Sequence, residues 1–138
     1  MPPFCQFLSV KALLFQGEVM ELSFSILQTN KMANFTKDQI EQVWQKAKVV
    51  SNNNPDLFRQ DYAGAWIRRD LYGNRESKYG WEIDHCKPVS KGGTDDLGNL
   101  YPLHWRNNQK KGNDYPNWKT IITSNGNQNL EMERSWYI

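Results

Sequence analysis

WEIDHCKPVSKGGTDDLGNL, residues 81–100, decides how the rest of the chain is read. Trp81 and Ile83 alternate with Glu82 and Asp84, the period of two that puts apolar residues on one face of a strand and carboxylates on the other. The run ends at the pair Asp84-His85. Pro88, Lys91-Gly92-Gly93-Thr94 then mark a loop, and Asn99-Leu100-Tyr101 resumes extended structure. The following stretch, PLHWRNNQKKG, opens on Pro102, suited to a helix entry, and closes on Gly112, suited to a stop, which predicts a short helix near 103–111. The order is strand, loop, strand, helix.

Outside this core the signals are of ordinary scaffold. Thr36 followed by Gln39 makes a capping box, and Ile40, Val43, Trp44 and Ala47 recur at i, i+3, i+4 and i+7, which predicts an amphipathic helix over 37–49. Ser51-Asn52-Asn53-Asn54-Pro55 ends it as a loop. Ala65-Trp66-Ile67 begins a strand, and Tyr72-Gly73-Asn74 reads as a turn. Near the C-terminus, Trp118–Thr123 and Gln128–Glu133 flank Asn125-Gly126, a favoured two-residue hairpin turn. The fold class expected is therefore α+β.

Residues 1–31 are apolar, lack a basic start and are interrupted by Lys11, so neither a signal peptide nor a membrane span fits. They are expected to be a weakly ordered extension, the working protein beginning at Met32 and forming one domain over 32–138; the alternative is an ordinary N-terminal strand or helix packed on the core. Without an export signal, a cytoplasmic location is expected.

The chain of 138 residues is 38% hydrophobic and 13% aromatic, so large rings must supply much of the buried area. Its net charge of +2 does not by itself argue for a polyanionic partner, although residues 59–111 carry ten Lys/Arg against seven Asp/Glu. Two cysteines, Cys5 and Cys86, rule out a disulfide framework and a four-cysteine zinc site. Cys86 reads as a small packing residue.

Phosphodiester hydrolysis needs a group to take a proton from water, a positive charge to stabilise the phosphate, and help for the leaving oxygen. A histidine with a reference pKa of about 6.5 suits the first task, and a divalent cation on hard oxygen ligands suits the others. Asp84 and His85 would ordinarily point to opposite faces of a strand. Where the strand ends that alternation relaxes, so both are expected to approach one site. A second oxygen ligand from the short helix points to Asn108, and Asn99 is placed to bridge the loop through backbone hydrogen bonds and hold His85 in orientation.

The pattern D-H-x-x-P-x-S-x-G-G, then N-L, then N-x-x-K-G resembles the HNH endonuclease family. Here it reads Asp84-His85, Pro88, Ser90, Gly92-Gly93, Asn99-Leu100, Asn108 and Lys111-Gly112, within a motif core at 80–112. The resemblance implies a ββα-metal (His-Me finger) core, a two-stranded hairpin packed on a helix, with the helix at 37–49 and the C-terminal hairpin added. It implies His85 as general base, Asp84 and Asn108 as metal ligands, and Asn99 as the residue that orients the loop. It implies one divalent cation, Mg²⁺ first and Mn²⁺ as a substitute, and cleavage of nucleic acid, DNA in preference to RNA, to 5′-phosphate and 3′-hydroxyl ends. Many relatives hold a structural zinc with two CxxC pairs. His104 and Asn107 stand where the second pair would be and no upstream pair exists, so no structural zinc is expected, and packing from Trp81, Leu100, Leu103 and Trp105 must support the core.

Several residues carry a second reading. His104 lies four residues before Asn108, on the same helical face, but is read as a helix-terminal histidine bonded to backbone rather than a ligand. Glu82 is expected on the exposed side of the strand. Lys110 and Lys111 fit a solvated helix end, and with Lys87, Lys91 and Arg106 are candidates for phosphate contacts. The rivals to an endonuclease are a nucleic-acid-binding module that keeps the scaffold but does not cleave, and a purely structural or interaction domain in which the Asp-His pair is incidental.

Overall fold

The computed structural model describes residues 35–138; the expectations for residues 1–31 and for a start at Met32 lie outside them. The described chain is α+β, with two helices and three two-stranded antiparallel sheets. In chain order these are α1 (Lys37–Trp44), β1 (Phe58–Gln60), β2 (Trp66–Arg68), β3 (Trp81–His85), β4 (Leu100–His104), α2 (Trp105–Lys111), β5 (Asn117–Asn125) and β6 (Gln128–Tyr137). No helix among the described residues is long and apolar enough to cross a membrane.

Thr36 and Gln39 exchange side-chain and backbone hydrogen bonds at 2.9 and 3.1 Å and start α1. The helix ends at Trp44, five residues before the expected limit. Arg59 takes the carbonyl of Gln45 at 3.2 Å, and Lys48 pairs with Gln60 as an isolated bridge, so the chain leaves the helix to reach β1. The apolar stripe nonetheless works as a stripe. Val43, Trp44 and Ala47 pack with Ile67, Trp81, Ile83 and Leu100 in one buried cluster.

β3 and β4 pair from Trp81↔His104 to His85↔Leu100. Period-two alternation sorts β3 into Trp81 and Ile83 facing the α1 cluster, and Glu82 and Asp84 facing α2. Glu82 is thus 1% exposed, not on a solvated face. Pro102 is inside β4, opposite Ile83, rather than at the helix entry. In a two-stranded sheet each strand has an open edge, where a missing N–H costs nothing. His104 is the residue that caps α2, its ring Nδ1 accepting from the Arg106 N–H at 3.1 Å.

The third sheet covers the other side of α2. Ala63, Cys86, Trp118 and Trp136 form a second buried cluster ringed by Tyr62, Tyr101 and Tyr115. The hairpin turn falls one residue later than expected: Asn125 pairs with Gln128, leaving Gly126-Asn127 at the centre. Only Gly126 takes a positive φ there (+62°), the pattern of a type II′ turn.

Candidate active site

The loop between β3 and β4 is pinned by one side chain. Asn99, 4% exposed, donates from Nδ2 to the carbonyls of Lys87 (3.0 Å) and Thr94 (2.8 Å) and accepts the Lys87 N–H at 2.8 Å. Three bonds from one amide use most of what it can make and tie both arms of the loop to its closing residue. Gly93 has to be glycine for this closure, because a Cβ there would sit 1.7 Å from the Lys87 carbonyl oxygen and 3.0 Å from Asn99 Nδ2. From the other side, Lys46, two residues past the end of α1, donates to the Leu97 carbonyl at 2.6 Å and lies 3.7 Å above the Tyr101 ring. Burial pulls its pKa down to about 8.

His85 is the last residue of β3 and still pairs with Leu100, so the strand does not loosen before it as expected. Its ring leaves on the Ile83 side, 5.8 Å from Phe35, and Nε2 meets Asp95 Oδ1 at 2.6 Å. That hydrogen bond holds the Asp95 carboxyl below its ordinary value, against the opposing effect of burial. Asp95 was not found from the sequence. A Thr-Asp-Asp run in a loop carries no signal for which carboxylate will turn back ten residues onto the histidine.

Asp84, one position earlier, points into the space between β3 and α2. Its Oδ1 is 3.3 Å from Lys111 Nζ, which also donates to the carbonyls of His85 and Cys86 at 3.1 Å each. Lys111 is 1% exposed, so the expected solvated helix end and phosphate contact do not hold for it. The ammonium instead fastens α2 to the end of β3. Three residues before it, Asn108 faces the same strand and donates from Nδ2 to Glu82 Oε1 at 2.8 Å. Glu82 is held by Arg75 through Nε (2.7 Å) and Nη2 (3.0 Å). Asp84 and Asn108 therefore flank one interlayer, while His85 turns its ring to the other side at the strand's end.

Asn107 and Asn108 differ completely in surroundings. Asn107 is fully buried and accepts the N–H groups of Ile121 (2.9 Å) and Ile122 (2.7 Å), while donating to the Ile122 carbonyl and to Asp61 Oδ2. Asp61 in turn accepts from Ala63 N, Ala65 N, His104 N and Asn107, with N···O distances of 2.8 to 3.0 Å. Burial pushes its carboxyl up to about 6 despite those four donors. The His104 ring donates from Nε2 to the Lys78 carbonyl at 2.8 Å and accepts at Nδ1, so both nitrogens are used on backbone groups. His104 and Asn107 are thus part of a hydrogen-bonded hub joining α2, β5 and the Asp61 loop.

The remaining basic candidates divide into two groups. Lys87 and Lys91 lie in the loop after His85, Lys91 reaching the Tyr115 carbonyl at 3.2 Å. Arg106 and Lys110 lie on the opposite side of α2 and pair with Glu131 (2.6 Å) and Glu133 (3.4 Å) of β6. Asp84 and Asn108 offer a carboxylate and an amide oxygen, the hard donors that Mg²⁺ accepts alongside retained waters. Because a carboxylate only accepts, the Asn108 amide has to present Nδ2 to Glu82, which turns its oxygen to the other side. The donor set fits a divalent cation.

Hairpin, pinned loop and helix with these side chains define a class. Residues 73–114 match the family model for HNH endonuclease, a segment that takes in β3, the loop, β4 and α2. The chain thus carries an HNH segment, and since that family consists in general of nucleases, the match supports a nuclease or another activity on nucleic acid. No curated protein and no solved structure matches the chain.

Proposed function

We propose that the protein is a divalent-cation-dependent endonuclease that hydrolyses phosphodiester bonds in nucleic acid, DNA in preference to RNA, on a ββα-metal core made of β3, β4 and α2. What supports the reading most is the pairing of Asp84-His85 at the end of one strand with Asn108 on the helix packed against it, inside the matched segment.

Neutral His85 is the general base. With Nε2–H given to Asp95, the nitrogen that takes the proton from water is Nδ1. Asp84 and Asn108 hold the cation by their side-chain oxygens, Mg²⁺ in preference and Mn²⁺ as a substitute; when bound, it supplies stabilisation of the charge on the phosphate and leaving oxygen. Asn99 keeps the loop from drifting and with it the backbone that carries His85. Lys87 and Lys91 contact phosphates near the scissile bond, and Arg106 and Lys110 do so only by opening their pairs with β6. The products carry 5′-phosphate and 3′-hydroxyl ends.

The test compares binding and cleavage in the same proteins. Wild type, His85→Ala and Asn108→Ala are assayed for DNA binding by gel shift without metal and for plasmid nicking with Mg²⁺. The expected result is retained binding in all three and nicking by wild type alone. Binding without nicking by wild type would mean a non-cleaving module, and equal nicking by all three would refute the role assignments.

A further inference from the structure

Glu82 is a carboxylate with a side chain only 2% exposed, set between Arg75 and Asn108 and touching neither solvent nor the His85 side of the strand. A buried charge in such a place is costly unless several donors satisfy it. Here three N–H groups do: two from the Arg75 guanidinium at 2.7 and 3.0 Å, one from the Asn108 amide at 2.8 Å. The arrangement has a direction. Arg75, about half exposed, can reach Glu82 only from the residue 75 turn, and its two-point contact fixes the carboxylate plane. Oε1, which accepts from both Arg75 Nη2 and Asn108 Nδ2, then has a single orientation to offer the amide. An unconstrained side-chain amide would rotate freely between presenting oxygen and presenting nitrogen to the interlayer. With Nδ2 captured by an acceptor that cannot donate, only oxygen is presented.

We propose that Glu82 and Arg75 are positioning residues for Asn108, locking its amide so that the oxygen faces the cation held with Asp84. This rests on the reading of Asn108 as a cation ligand. Outer-shell groups of this kind orient ligands and contribute to metal affinity without touching the metal.

The experiment measures Mn²⁺ binding to the full chain by calorimetry, with no nucleic acid present, for wild type, Glu82→Gln, Arg75→Gln, Asn108→Ala and Arg69→Gln. Arg69→Gln is the control, since it breaks the half-exposed pair between Arg69 and Glu41 of α1, away from the interlayer. Thermal unfolding in chelator reports the metal-free fold of each. Glu82→Gln and Arg75→Gln are expected to bind Mn²⁺ about tenfold more weakly or worse, with Arg75→Gln unfolding near the wild-type temperature and Arg69→Gln binding as wild type. Should the buried substitution fail to fold, Arg75→Gln decides alone. Wild-type affinity in Arg75→Gln alongside lost affinity in Asn108→Ala would overturn the positioning role while keeping Asn108 as ligand. Unchanged affinity in Asn108→Ala would overturn the ligand itself. Weakening by Arg69→Gln equal to that of Arg75→Gln would reduce the effect to general loosening and overturn the proposal too.

Discussion

Asn108 and Asn107 are neighbours with the same side chain, and spacing to Lys111-Gly112 is all that separates them in sequence. In the fold one amide is spent entirely on backbone and Asp61, whereas the other gives its Nδ2 to Glu82. The same contrast governs the predictions for single residues. His85→Ala removes the proton acceptor and is expected to lower the single-turnover cleavage rate by about 10²–10⁴-fold, the range typical of a lost general base, with unfolding temperature unchanged. Asn99→Asp keeps the acceptor for the Lys87 N–H but replaces the donor to two carbonyls with a charge, so loop closure and cleavage should both suffer. Limited proteolysis at the loop together with a nicking assay checks this; unaltered cleavage would detach Asn99 from the site. Gly93→Ala is a steric version of the same experiment, since the Lys87 carbonyl must move to admit one methyl group.

At the scale of elements, the cap of α2 carries a pH dependence. His104 Nδ1 accepts from the Arg106 N–H, so the ring has to stay neutral, and burial lowers its pKa. The folded state then refuses a proton that the unfolded chain accepts. The stability it contributes is present above the ordinary histidine value and declines as pH falls below it. His104→Asn, which caps with an amide oxygen, should unfold in urea with a weaker loss of stability between pH 7 and pH 5 than wild type; parallel losses would contradict the cap. Asp61→Asn puts an NH₂ group against N–H donors in the hub and is expected to cost about 1–3 kcal/mol by the same measurement at pH 7.

These elements also mark what was legible in the sequence. Period-two alternation through residue 84, the Pro and Gly punctuation of the loop, and the capping box are local signals, and the strands and helices stand close to where they place them. The limits of α1 and α2 shifted because tertiary partners overrode local cues: Lys48 left for β1, and His104 rather than Pro102 opened the second helix. Lys111 read as exposed because a lysine at a helix end ordinarily is, and nothing local says that an aspartate and two carbonyls await it. Asp61 sits 43 residues from His104, and its four hydrogen bonds leave no trace in any short window. Asp95 and Arg75 were missed for the same reason: loop geometry, not a local pattern, brings them to His85 and Glu82.

For the whole molecule, charge near the site matters more than the net +2. Lys87 and Lys91 stand beside His85 in sequence, whereas Arg106 and Lys110 are committed to β6 glutamates. DNA affinity should fall with salt, and Lys91→Ala should lessen the slope of log affinity against log salt by about 1, the effect of one lost phosphate contact. An unchanged slope would remove Lys91 from the interface.

Cleavage of a DNA duplex under single turnover, followed across Mg²⁺ concentration and repeated in chelator, tests the central claim most directly. A rate that saturates with Mg²⁺, vanishes in chelator and is lost in both Asp84→Ala and His85→Ala is the predicted result. A wild-type rate indifferent to chelator, or retained in those two variants, would contradict it.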